Sequence, residues 1–333
     1  MNELSATVLL TAVAAIVIRW CVSLNSYSGE GKPPMFGDYE AQRHWMELAY
    51  HLPIKQWYVN GSNNDLQYWG LDYPPLTAFH SYVCGIVANS FNSSWVALGE
   101  SHGHESSQHK LFMRYTVLLA DVTIFFPAVF VYFYQCSRGT SQTKTLAGLT
   151  TLLYPGLILI DHGHFQYNSV SLGLWLWAVT ALCLDSHLLG SVAFVLALNY
   201  KQMELYHALP FFAYLLGSCF KGKENGLWKF VKLGTVVMVT FGCCWLPFLQ
   251  DLQVTQQVVS RLFPVGRGIF EDKVANVWCS LSVLIKFKQL FSTSSLLNIC
   301  LITTLCASLP HVIDLLWRPS LHRFKLALVC IIG

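Results

Sequence analysis

Polar islands interrupt an otherwise apolar chain of 333 residues, and each holds side chains able to take part in group transfer. In "GDYEAQRHWME", Asp38, Glu40, Arg43, His44 and Glu47 crowd together although only 12% of the chain is charged. A carboxylate beside a guanidinium and an imidazole has the make-up of a general base towards a hydroxyl. The same spacing also fits a helix on the membrane surface with Asp38 as its N-cap, in which the Glu40–Arg43 and Arg43–Glu47 pairs contribute about 0.2–0.5 kcal/mol each. In "LQYWGLDYPPLTAFH", Asp72 sits among Tyr68, Trp69 and Tyr73 beside a rigid Pro-Pro turn. Rings next to a carboxylate suit a sugar, whose apolar face stacks while its hydroxyls donate hydrogen bonds. An interfacial aromatic belt has the same composition.

"LILIDHGHFQYNSVSLG" places Asp161, His162, His164, Gln166, Tyr167 and Asn168 between two apolar runs. Polar groups at a membrane boundary are costly unless paired, so the cluster predicts a lined cavity with imidazoles facing a phosphate. His-x-His beside an Asp also has the elements of a metal site, and a polar hinge between helices fits as well. Lys201 and Glu204 in "LNYKQMELYH", then Arg261, Arg267 and Lys273 in "SRLFPVGRGIFEDKVANVWC", include cations of the kind that hold a phosphate. Snorkelling side chains at the interface are the plainer reading. Asp121, in "VLLADVTIFF", is an acid inside an apolar run, where a function or an interhelical hydrogen bond accounts for it equally. The sequence has no phosphate-binding glycine loop, Gly-x-Ser-x-Gly elbow or His-Glu-x-x-His pattern.

The elements that must position these groups are membrane helices. A composition 54% hydrophobic and 14% aromatic identifies an all-α, polytopic membrane protein. The long apolar runs are Leu4 to Leu24, Leu111 to Gln135, Ser169 to Leu184 and Phe230 to Leu249, with shorter ones at Leu76 to Phe91, Leu146 to Ile160, Leu188 to Asn199, Met203 to Cys219 and Leu296 to Leu316. The first run lacks a basic leader and a small-residue cleavage site, and continues to Arg19 and Trp20 as an interfacial anchor does; it reads as a retained helix. "FKLALVCIIG" begins a further run and covers about half of a span, so the chain reads as C-terminally truncated. The eleven cysteines are scattered with no Cys-x-x-Cys pair and read as small buried hydrophobes. A net charge of +3 spread over many loops offers no basic stripe, which excludes nucleic acid as a partner and leaves membrane lipid.

Residues 1–333 read as one transmembrane domain with two long connections, 25–75 and 250–277, and long ordered loops usually carry function. "FKGKENGLWKFVK" is rich in lysine and belongs to the cytoplasmic side, so the following helix carries 250–277 to the opposite face, and the sequon Asn60-Gly61-Ser62 assigns the first loop to that same side, the lumen. Simple alternation then conflicts with Arg138 and Lys144, which favour the cytoplasm for the 136–145 connection. One segment must fail to cross, and Leu76 to Phe91, short and preceded by Pro74-Pro75, is that segment; the sequon at Asn92 then joins Asn60 on the luminal side. A polar-substrate transporter, the alternative class, predicts internal repeats, and the sequence shows no convincing one.

These islands, taken in order, resemble the dolichyl-phosphate-glucose-dependent glucosyltransferases of the endoplasmic reticulum, which build the lipid-linked oligosaccharide for N-glycosylation. The resemblance rests on "GDYEAQRHWME", "HLPIKQWY", "LQYWGLDYPPLTAFHS", "LIDHGHFQYNSVSLG", "KQMELYHALPFF" and "RLFPVGRGIFEDKVANVWC", and the wording follows the members that add the first glucose rather than the second. It implies the C-type glycosyltransferase fold, a luminal active site and inverting transfer of glucose from dolichyl phosphate to the 3-hydroxyl of a terminal mannose on the dolichyl-pyrophosphate-linked oligosaccharide. It also implies no cofactor and no metal. Asp38 matches the family's catalytic base. With that role assigned, Glu40, Arg43, Glu47, Trp69, Asp72 and Tyr73 are expected at the substrates, His162, His164, Lys201, Arg261 and Arg267 at the donor phosphate, and Asn60 under a glycan. Members of the family continue for further membrane helices, with a later His-Glu-Lys stretch that this sequence does not reach.

Overall fold

The computed structural model describes residues 3–221, 225–263 and 277–332, and among these it is helical throughout, with no β-strand. Arg267, Glu271, Asp272 and Lys273 lie outside the described residues. Among the described residues, five helices are long and apolar enough to cross a membrane: Ala6–Ser23, Ser107–Cys136, Ser141–Phe165, Gly226–Leu249 and Thr293–Trp317. Two shorter apolar helices, Asn168–Cys183 and His187–Tyr200, follow the third. The chain divides into two compact units, Met1–Glu204 with Lys232–Arg261, and Leu205–Val231 with Leu262–Gly333.

The first unit holds the polar islands as far as Glu204, together with Arg261 of the last. Its elements are α1 (Glu3–Ser23), α2 (Gly37–His51), α3 (Pro75–Phe91), α4 (Ser107–Cys136), α5 (Ser141–Phe165), α6 (Asn168–Cys183) and α7 (His187–Tyr200). Their ends follow from local chemistry. Pro75, whose missing N–H costs nothing in a first turn, opens α3 after Pro74. The Ser106 hydroxyl accepts from His109 N–H to cap α4, and Thr140 does the same for Thr143 at the start of α5. Inside α4, the turn Asp121–Phe125 widens to π geometry just before Pro127, and the Ile124 carbonyl accepts from Trp177 Nε1 at 3.3 Å. In α5 the helix is interrupted at Leu153 and Tyr154 before Pro155 and ends in a π turn over Leu159–Phe165.

The connectivity of this unit fixes which segment stays on one side. Residues 27–31 touch residues 105–110: Tyr27 Oη and Gly31 N–H both donate to Glu105, at 3.3 and 2.7 Å, and Lys110 pairs with Glu30. The stretch between α1 and α4 therefore leaves and returns on the same side, and α3 within it folds back on α2. Gly85 makes that pairing close, since a Cβ there would sit 2.5 Å from the Met46 carbonyl. One edge of α3 leaves Tyr82, Val83, Ile86, Val87 and Phe91 exposed. With α3 not crossing, α4, α5, α6 and α7 alternate, and the connection holding Arg138 and Lys144 falls on the side opposite α2.

The buried surroundings of α2 differ from what its sequence predicts. Its periodicity fits a surface helix, yet every residue from Tyr39 to Ala49 is buried. Apolar residues Tyr39 and Met46 join a core with Tyr27, Ala88, Val117, Phe165 and Tyr200. The polar side is covered by residues 95–101, whose backbone supplies partners to Arg43, Glu47 and His51. Arg19, expected as an interfacial anchor, is fully buried and paired with Asp121. An arginine facing a carboxylate between helices satisfies its charge there without reaching the interface.

The second unit is a small helical cluster. Helices Leu205–Phe220, Thr293–Trp317 and Leu321–Ile332 pack around Phe324, whose ring lies 5.0 Å from both Phe211 and Tyr214.

Candidate active site

Asp38 is presented by a tight reversal. Phe36 and Gly37 both take left-handed conformations, φ 56° and 69°, and a Cβ on Gly37 would lie 2.7 Å from Ser28. Only glycine fits there without strain. The reversal starts α2 at Gly37 with Phe36 as a cap residue, so Asp38 lies in the first turn and is no N-cap. Its carboxylate is one-third exposed and sits where the helix dipole favours an anion. Its Oδ2 accepts from His164 Nε2 at 3.0 Å and from Gln166 Nε2 at 2.6 Å. Its Oδ1 takes no hydrogen bond from the described residues.

Those two donors come from the π turn that ends α5. Phe165, at φ 91°, breaks the helical path and sends Gln166 towards Asp38. The carbonyls released by the turn are held: Gly163 accepts from Arg114 Nη2 at 3.1 Å and His164 from Ser28 N–H at 3.0 Å. Asp161 is buried and caps α6 from a distance, accepting from the N–H groups of Asn168 and Ser169 at 3.0 and 2.8 Å. Gln166 Oε1 in turn accepts from Lys201 Nζ at 3.2 Å, and Lys201 also bonds Asn168 Oδ1. Burial pushes the Lys201 ammonium below its usual range, against the opposing pull of Asp161, Asp38, Glu204 and Asp72. Its Nζ stands 5.0 Å above the Tyr73 ring.

The aromatic loop closes over the same place. Trp69, at φ 48°, donates its Nε1–H to the Met35 carbonyl at 2.5 Å and accepts at its own carbonyl from Trp45 at 2.8 Å. Gln202 holds the Asp72 carbonyl at 3.2 Å, and Arg261 donates to the carbonyls of Gly70 and Leu71 at 2.6 and 3.2 Å. Arg261 thus clasps the loop that carries Trp69, Asp72 and Tyr73.

Behind Asp38, Arg43 is fully buried in a network of its own. It donates to both oxygens of Glu40 at 2.7 and 2.6 Å, to Glu47 at 2.8 Å and to Ser101 at 2.5 Å. Tyr68 Oη reaches Glu40 at 2.8 Å, tying the network to the aromatic loop. Burial alone raises the Glu47 carboxyl, but the His44 hydrogen bond, the Arg43 charge and the Gly99 N–H outweigh it and hold it at about 2. His44, Glu47 and His102 bring three ligand atoms within 4.8 Å. A cation fits this set poorly, because Glu47 already serves Arg43, Ser101 and Gly99, and the guanidinium beside it repels positive charge.

Of the residues singled out in the sequence, Asp38, His164 and Lys201 converge through Gln166, with Trp69, Asp72 and Tyr73 on the loop alongside. His162 turns the other way, into the helix bundle, where it meets Asp121 and Ser23. Asn60 is exposed, its Oδ1 accepting from Leu66 N–H at 3.2 Å. Gln166 and Asn168 stand out in the sequence only as parts of a polar run, yet they link Asp38 to Lys201. Ser101 carries no sequence signal at all.

The model of the ALG6, ALG8 glycosyltransferase family matches residues 15–332. The chain belongs to this family. It is 58% identical over 322 residues to a dolichyl pyrophosphate Man9GlcNAc2 alpha-1,3-glucosyltransferase of Gallus gallus, covering 96% of this chain and 64% of that protein. The protein of the same name from Rattus norvegicus is 56% identical over 324 residues, with the same coverage. A probable enzyme of that name from Drosophila melanogaster is 48% identical over 324 residues, covering 96% of this chain and 68% of that protein. The chain spans about 64% of the length of the first of these relatives. Among the described residues the site brings a carboxylate, an imidazole and an ammonium group together through Gln166.

Proposed function

We propose that the chain is an inverting glucosyltransferase. It moves glucose from dolichyl phosphate glucose to the 3-hydroxyl of a terminal mannose on the dolichyl-pyrophosphate-linked oligosaccharide, at the luminal face of the endoplasmic reticulum membrane. The observation that carries this reading is the Asp38 carboxylate, with Oδ2 held by His164 and Gln166 and Oδ1 left for an acceptor hydroxyl. The acceptor donates its proton to Oδ1 as its oxygen attacks the anomeric carbon. The bond from that carbon to the phosphate oxygen breaks, and its electron pair leaves with the phosphate. One displacement inverts the anomeric centre, so a beta-linked donor gives an alpha product.

Lys201, one side chain away from Asp38 through Gln166, supplies positive charge for the phosphate, with His164 beside it. The phosphate leaves as a stable anion, so the scheme uses no metal. Trp69, Asp72 and Tyr73 face the sugars, and Arg261 acts by holding their loop. The buried Glu40, Arg43 and Glu47 support the base from behind. A luminal Asp38 side is supported by Arg138 and Lys144, which lie on the opposite side and by the positive-inside rule favour the cytoplasm. The names of the relatives support the acceptor and the linkage.

The test is transfer of glucose from dolichyl phosphate glucose to a dolichol-linked nonamannosyl acceptor in microsomes. This chain is compared with Asp38→Asn at matched expression. Transfer by the chain that disappears in the variant is expected. Transfer retained by Asp38→Asn overturns the base assignment, and no transfer by a folded, inserted chain overturns the reading that these residues suffice.

A further inference from the structure

Asp121 has no part in the scheme above, although it lies far inside a membrane span. It belongs to a buried network that ties three spans together. Arg19 Nε of α1 pairs with Asp121 Oδ2 of α4, and His162 Nε2 of α5 meets the same oxygen at 2.8 Å. Arg19 Nη1 also donates to the Leu152 carbonyl of α5 at 2.7 Å, and the guanidinium lies over the Phe126 ring at 4.9 Å. The other imidazole nitrogen, Nδ1, stands 3.3 Å from Ser23 Oγ, which itself donates to the Arg19 carbonyl at 2.8 Å. All three charged or imidazole side chains are at most 1% exposed.

In lipid, interhelical polar contacts contribute little each on average, so helix cohesion accounts for only part of a group with this many fixed partners. What an apolar contact cannot do is fix the direction of a ring. His162 is engaged at both nitrogens, and it is separated by a single residue from His164, which holds Asp38 from the other face of the same π turn. Any rotation of this turn that releases His162 also carries His164 and Gln166 away from the base.

We infer that Arg19, Asp121 and His162 form a positioning triad that sets the aim of His164 and Gln166 at Asp38, and so acts on the rate of transfer rather than on affinity for either substrate. This rests on Asp38 being the base. Misplacing a reacting group by about 1 Å is enough to lose on the order of a hundredfold in rate.

The experiment uses the full chain with 15N-histidine in lipid nanodiscs. The His164 imidazole signal, assigned by its loss in His164→Ala, reports the hydrogen bond to Asp38 without requiring turnover. Asp121→Asn is expected to shift or broaden that signal, and to lower kcat at least tenfold with KM for donor and acceptor changed less than twofold. Because the single variant leaves Arg19 without its charge partner, the triple variant Arg19→Met, Asp121→Leu, His162→Phe is made as well. It is expected to keep the thermal midpoint of the parent while showing the same spectral and rate changes. An unchanged His164 signal in both variants, or a loss confined to KM, overturns the proposal. Glucose transfer retained by Asp38→Asn overturns the base assignment instead, and the spectrum still decides whether the triad aims His164.

Discussion

Removing the Arg43 guanidinium isolates the energetic role of the network behind Asp38. In Arg43→Met the aliphatic stem is kept while Glu40 and Glu47 lose their charge partner, at exposures of 1% and 0%. Ser101 and the Trp95 carbonyl lose a donor as well. Breaking one side of a buried ion network costs about 3–5 kcal/mol, because the remaining charges stay desolvated. At roughly 2–4 °C per kcal/mol for a domain of about this size, the thermal midpoint should fall by on the order of 10 °C. The assay is intrinsic tryptophan fluorescence of the purified chain in one detergent at one scan rate, so that any scan-rate dependence of the midpoint is common to parent and variants. Neutralising all three positions (Glu40→Gln, Arg43→Met, Glu47→Gln) should recover most of the loss, because no charge is then left buried and unpaired. The reasoning is refuted if Arg43→Met falls no further than a change at exposed Lys55, or if the triple variant is no better than the single one.

Four other outcomes follow from the same geometry. Gln166→Leu should lower glucose transfer roughly tenfold to a hundredfold with little change in the thermal midpoint, since it releases Asp38 and Lys201 together without opening a cavity in the core; initial-rate kinetics check this. Gly85→Ala should destabilise by about 1–3 kcal/mol, because its methyl meets the backbone of α2 rather than a side chain that can yield, and a lowered melting midpoint is the readout. The Glu47 carboxyl, held at about 2 against an ordinary 4.5, stabilises the fold above its unfolded value, and that contribution is lost as pH falls from about 4.5 through 2. Glu47→Gln should therefore flatten acid unfolding over that window. Asn60→Gln should abolish one endoglycosidase-sensitive step in the gel mobility of the chain made in microsomes, and an unchanged mobility sinks the luminal assignment of its loop.

The membrane helices are legible in the sequence because hydrocarbon imposes a length and a polarity that few other environments impose together. His164 and Lys201 are legible for the complementary reason, each a polar residue standing close to where an apolar run stops, and Asp38 by the charged residues crowded after it. What the sequence does not disclose is direction and distance. His162 and His164 are two residues apart, and only the π turn decides that one faces inward and the other Asp38. Arg19 and Asp121 are 102 residues apart, so nothing local signals that the arginine is a partner rather than an anchor. The burial of α2 is hidden because its cover is backbone from residues 95–101, where Ser101 and Gly99 look like any loop. Arg261 reads as a phosphate ligand by type, but its fork meets two carbonyls of the aromatic loop.

The return of α3 onto α2 has a consequence for how the protein is made. As the ribosome delivers the first two spans, the machinery that inserts them must not leave Pro75–Phe91 across the bilayer, although it is apolar enough to tempt retention. Thr77, His80 and Ser81 lower its insertion tendency, and its length of 17 residues sits at the low end for a span. Were it retained, each later helix would enter upside down. His164 and Lys201 would then mature in the compartment that Asp38 never enters, from a chain whose every other residue was correct.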